Sequence, residues 1–128
     1  MQEQDDLYEY AVIRLVPKVE RAEFFNIGLV MLCKRKRWLR MDYHVDTELF
    51  EAFDPDIEYD FVMKNLKAFK AVAEGSCDKS PIAGMDAAER FRWLTAVRSS
   101  SIQTSRPHVG KTKDLEACFR KMFKEIVL

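Results

Sequence analysis

The sequence predicts an α+β domain: a mainly antiparallel sheet of three to four strands, a β-meander first, with helices packed on one face. Three observations lead there. Apolar and β-branched residues crowd the first 45 positions in three short runs joined by brief polar links. From residue 46 onward the apolar spacing changes to the helical three-and-four rhythm. With 128 residues and 48% apolar side chains, the chain can bury roughly 68% of its unfolded surface, enough for one core and one domain over 1–128.

The run 7–16, LYEYAVIRLV, is rich in aromatic and β-branched residues and apolar on both alternations, as a central strand requires. Pro17 ends it, having no N–H for a ladder. A charged connector, 18–23, leads to a second strand at 24–33. Lys34-Arg35-Lys36-Arg37 forms a turn, and 37–45 alternates as a third strand. Short links between three successive strands make an antiparallel meander.

Asp46 then offers an N-cap to a short helix, 46–53, with Leu49, Phe50 and Phe53 on one side. Asp54-Pro55-Asp56 breaks it. From Ile57, the residues Phe61, Val62, Leu66, Phe69, Val72 and Ala73 form a helical stripe that Gly75 closes. After a loop at 76–85, Asp86 and Glu89 make a capping box for a helix at 87–97, with Phe91, Leu94 and Val97 as its apolar side. Residues 99–105 read as a fourth, edge strand and 106–110 as loop. Leu115, Cys118, Phe119, Met122 and Ile126 mark a final helix over 113–126.

The formal charge is zero, from 21 basic and 21 acidic residues, which argues against coating nucleic acid by bulk electrostatics. The zero is an average over blocks. Residues 1–10 carry four acids and no base; 11–40 carry eight bases against Glu20 and Glu23. Residues 41–63 carry eight acids and no base, and 64–128 thirteen bases against seven acids. Fields of this kind steer one partner rather than many. Cys33, Cys77 and Cys118 are scattered and odd in number, so neither a disulfide framework nor a zinc knuckle is expected. The acidic opening MQEQDDLYEY is unlike a signal peptide, and no apolar stretch could span a bilayer. A soluble, cytoplasmic protein follows from these features.

Two polar constellations interrupt the apolar pattern. The first is Arg14, Arg21, Glu23 and Asn26, which a hairpin between the first two strands brings together. Arg14 sits in an apolar strand and needs a partner if buried. An Arg14–Glu23 ion pair tying the hairpin is the structural reading of this group; a ligand or interface site is the functional one. The second is Arg98, Ser99 and Gln103, downstream of Arg90-Phe91-Arg92-Trp93. Guanidinium and hydroxyl groups together suit a phosphate or carboxylate, while the structural alternative has Arg98 capping the preceding helix.

A third feature, Lys34, Arg35, Lys36, Arg37, Trp38 and Arg40, offers cations and an aromatic for nucleic acid, or is simply a solvated hairpin tip. The acidic 41–63 segment would repel a polyanion and suit a basic protein partner. With His44 and His108 the only histidines, and no HxH, HExxH, Walker or dinucleotide motif, neither a metal nor a cofactor is expected. Whether the chain is an enzyme is left open by these residues.

The stretch YEYAVIRLVPKVERAEFFNIGLVMLC resembles the opening of a family of small bacterial proteins catalogued as domain of unknown function 3037. Tyr8, Tyr10, Arg14, Pro17, Arg21, Glu23, Phe25, Asn26 and Gly28 carry the likeness, and Arg90-Phe91, Arg98-Ser99, Ile102-Gln103 and Gly110 extend it. The resemblance implies no assigned activity. It implies, by association with HipA-type protein kinases encoded nearby, a partner or regulator in a toxin–antitoxin-like operon. Three functions are therefore expected, in this order: a protein-binding accessory module, a binder or enzyme for a phosphate-containing small molecule, and a nucleic-acid binder through 34–40.

Overall fold

A computed structural model describes residues 5–18, 21, 23–75, 85–96 and 101–128. Its strands are β1 (Asp6–Leu15), β2 (Phe25–Cys33), β3 (Trp38–Tyr43), β4 (Ile102–Thr104) and β5 (His108–Thr112). Its helices are α1 (Thr47–Ala52), α2 (Tyr59–Glu74), α3 (Ala87–Leu94) and α4 (Leu115–Ile126). The sheet is antiparallel in the order β3-β2-β1-β4, with β5 also paired to β1. The opening meander and the α+β class are as expected from the sequence.

The first difference is at the far edge. Residues 106–110 are not all loop: β5 begins at His108 and pairs with Asp6–Tyr10, while β4 pairs with Ile13–Leu15. Ile13 faces Thr104 and Tyr10 faces His108, so four steps along the edge match three along β1. The extra residue falls beside Pro107, which cannot donate to the ladder. Ser105 bridges the break. Its N–H donates to the Val12 carbonyl at 2.8 Å, and its Oγ accepts from the Val12 N–H at 2.9 Å.

The second difference is in the layers. Ala11, Ile13 and Leu15 of β1 and Val30 and Leu32 of β2 pack with Phe50 of α1, Val62 and Leu66 of α2, and Phe91 and Leu94 of α3. The alternate residues Leu29 and Met31 face the other way and are buried under Phe119 of α4. The helices therefore lie on both faces, three against one. β2 is apolar on both alternations because it is sandwiched, and α4 needs only a narrow stripe because one strand lies beneath it.

The caps follow their residues. Asp46 accepts from the N–H groups of Glu48 and Leu49, Asp86 from Glu89, and Asp114 from Ala117. Gly75 ends α2 in the left-handed region at φ 68°. α3 stops at Leu94, short of the expected 97. No described helix is long and apolar enough to cross a membrane.

Candidate functional site

Antiparallel pairing across three strands sets Arg14 opposite Asn26 on one side and Gln103 on the other. Arg14 belongs to the even-numbered alternation of β1, away from the three-helix core. Asn26 shares that face only because of a β-bulge. Ile13 faces Gly28 and Arg14 faces Asn26, leaving Ile27 unmatched. With even residues such as Val30 and Leu32 in the three-helix core, Asn26 would point there too; the extra residue turns it over. Ile27 itself is fully buried. Gly28 admits this close packing, since a Cβ there would stand 3.0 Å from the Asp42 carbonyl and 3.1 Å from Ile13.

Within the row, Asn26 donates its side-chain amide to the Ile126 carbonyl at 3.3 Å, pinning the end of α4. Gln103 has a contact of its own. Arg14 is half-buried, and its guanidinium lies 4.3 Å from the centre of the exposed Phe24 ring. The expected Arg14–Glu23 ion pair is absent: Glu23 takes the Arg21 guanidinium at 2.6 Å instead. That pair is exposed, so it contributes little to stability. The Nε of Arg14 is buried without a hydrogen-bond partner, and no described acid pairs with the side chain. A guanidinium forms charge-assisted hydrogen bonds to carboxylate and phosphate oxygens.

Sequence order suggested one patch from Arg14, Glu23 and Asn26, with Arg21 in the connector between them. The structure joins Arg14, Asn26 and Gln103 in one row. Arg21 and Glu23 line a separate cleft with Pro17, Lys18, Phe53 and Asp54, of about 450 Å³. Arg98 and Ser99 lie outside the described residues. Arg90 donates to the Val72 carbonyl at 3.3 Å near the end of α2, the contact expected of a cation at a helix C-terminus.

The basic turn is held from within. Asp6, only 4% exposed, takes Arg35 at 3.0 Å and Lys36 at 2.8 Å. The hydrogen bond from Lys36 and the charges of both cations hold its carboxyl below the ordinary aspartate value, against the opposing effect of burial. Trp38 donates its indole N–H to Glu116 at 3.2 Å and meets the Phe119 ring edge-on. Arg40 pairs with the same Glu116 carboxylate. Four of the six side chains singled out in 34–40 thus fasten β1 and α4 to the hairpin; Lys34 and Arg37 are exposed and make no ion pair among the described residues.

Sequence reasoning missed Asp6, Phe24 and Glu116. Only Asp6 had a signal: an acid leading into a strand, with a basic turn at the far end of the neighbouring hairpin. A further contact explains Gly110. It faces Tyr8 across the ladder, and a Cβ there would come within 2.4 Å of the Tyr8 ring. Burial, followed by the hydrogen bond to Cys118, pushes the Tyr8 phenol up to about 12. Among the described residues no three His, Cys, Asp or Glu side chains gather as a metal site.

An open antiparallel sheet sandwiched between three helices and one, with the polar row Asn26–Arg14–Gln103 at one end of the α4 side, defines a small α+β domain. The chain belongs to the family described as protein of unknown function (DUF3037), whose family model matches residues 10–127. No curated protein and no solved structure matches it.

Proposed function

We propose that the protein is a binding module that receives a carboxylate or phosphate group at the row Asn26–Arg14–Gln103. The observation that supports this is the half-buried Arg14, whose Nε has no acceptor and whose charge has no acid opposite it among the described residues. The Nε itself is enclosed, so an incoming oxyanion would meet the rest of the half-buried guanidinium and supply the charge partner that Arg14 lacks among the described residues. Thermal unfolding in phosphate, pyrophosphate and citrate tests this. A ligand at one hundred times its Kd stabilises the native state by about 2.7 kcal/mol. Arg14→Gln should abolish the shift, and Arg14→Lys, which keeps the charge and loses the fork, should reduce it. Absence of any anion-dependent shift in the native chain overturns the reading.

A second reading, recognition of a protein, is favoured by a different surface. At the opposite end of the sheet, on the α3 side, Leu7 and Val109 are 64% and 77% exposed. They line a groove of about 550 Å³ with Leu32, Ala88 and Phe91, rimmed by Lys34 and Arg92. Clustered apolar exposure of this kind is typical of interaction surfaces. A HipA-type kinase is the candidate partner, on family association alone. Co-purification of the two, lost in Val109→Glu, is the result this reading requires.

A further inference from the structure

Arg14 is not alone on its face of the sheet. Tyr10 lies four residues earlier on the same alternation of β1, about 13 Å away at ~3.3 Å per residue. Its cross-strand neighbour on β5 is His108, which shares the face. The two rings are 5.3 Å apart and tilted by 34°. His108 is exposed and Tyr10 half-buried, so the imidazole is open to solvent with the phenol ring beside it. α4 covers this side of the sheet over β2, where Leu29 and Met31 lie under Phe119. The strip along β1, β4 and β5 is left less covered: Tyr10, Val12, Arg14 and Gln103 are all half-buried rather than enclosed.

The two ends of the strip have different chemistry. His108 over Tyr10 is a stacking platform for a flat ring. Arg14, half-buried against Phe24 and with no acid opposite it among the described residues, is the cation that would take an anion. A base with a single 5′-phosphate is too short to engage both. A base, ribose and extended di- or triphosphate chain reaches. One guanidinium matches one phosphate terminus, whereas tracking a polynucleotide takes a line of cations along its backbone.

We infer that this strip binds a nucleoside di- or triphosphate, the base stacked on His108, the ribose across Val12 and the terminal phosphate on Arg14. The inference rests on the reading of Arg14 as an anion receptor and adds the class of molecule that carries the anion. Calorimetric titration of the full chain with ATP, GTP, CTP, UTP, AMP, tripolyphosphate and a short oligouridylate tests it. At least one nucleoside triphosphate should bind about tenfold or more tighter than tripolyphosphate, since stacking of one base contributes about that factor or more. AMP should bind more weakly than the triphosphate. His108→Ala, at an exposed position, should bring the triphosphate down to tripolyphosphate affinity and leave tripolyphosphate itself unchanged. Arg14→Lys should weaken both. Equal affinity for nucleotides and tripolyphosphate, or indifference to His108→Ala, overturns the nucleotide inference while the anion reading stands. Binding of oligouridylate without any free nucleotide overturns it in favour of a strand. No binding of any of these anions overturns both.

Discussion

Asp6 shows how one buried side chain can hold a basic motif from within. Four consecutive cations at 34–37 look like a surface offered to a polyanion, yet a nearly buried carboxylate takes two of them. Because the folded state lowers the Asp6 pKa, its contribution is fully present above the ordinary aspartate value, about 3.9. It is lost as pH falls through the depressed folded value. Asp6→Asn should therefore be less stable than the native chain at neutral pH, and the two denaturation midpoints should converge in acid below that value. Parallel curves down to the lowest pH would remove Asp6 from the account.

Tyr8 has the opposite sign. Its folded pKa is raised to about 12, so its contribution is present below 10 and lost between 10 and 12 as the unfolded phenol ionises first. Absorbance titration should find one of the four tyrosines ionising late, and Tyr8→Phe should remove that step. The Tyr8 ring also fixes Gly110. Gly110→Ala should cost about 1–3 kcal/mol by overpacking, and much of that should be recovered when Tyr8 is trimmed to Ala in the same chain. Additive costs in the double mutant would contradict the packing explanation.

Among the elements, α4 and the broken edge strand are the most exposed to change. α4 is held over β2 by one buried ring, Phe119, by the Asn26 tether at one end and by Glu116 at the other. Phe119→Ala should cost about 3–5 kcal/mol and shift the emission of Trp38, which packs edge-on against that ring. At the edge, Ser105→Ala leaves the Val12 N–H without its side-chain acceptor, at a cost of about 1–3 kcal/mol. Amide exchange at Val12 should accelerate accordingly; unchanged protection would mean that water replaces the hydroxyl. Element type was legible wherever the period was long: the meander, α2 and α4 all follow their apolar spacing. β5 was not, because five residues beginning at His108 after a proline carry too few apolar side chains to announce a strand. The helix layers were not either. An amphipathic stripe says that α4 has a buried face, and nothing in it says which side of the sheet receives that face.

At the scale of the molecule, the balanced charge has become a division of labour. Part of the basic hairpin is neutralised by Asp6 and Glu116, and in the 41–63 stretch Asp42 and Asp54 pair with Lys70 and Lys18. The arginine that breaks the pattern in β1 has no acid opposite it among the described residues. What the sequence by itself determined was the α+β class, the order of the opening strands, the helix caps and the break that Arg14 and Asn26 make in the apolar pattern, because these depend on residues close in the chain. Tertiary structure decided which of those residues meet. The bulge at Ile27 turned Asn26 onto the face of Arg14, the returning edge set Gln103 beside it and His108 beside Tyr10, and α4 chose the other side of the sheet. Each is a pairing between segments up to a hundred residues apart, fixed by ladder register and by how two apolar faces can be buried at once.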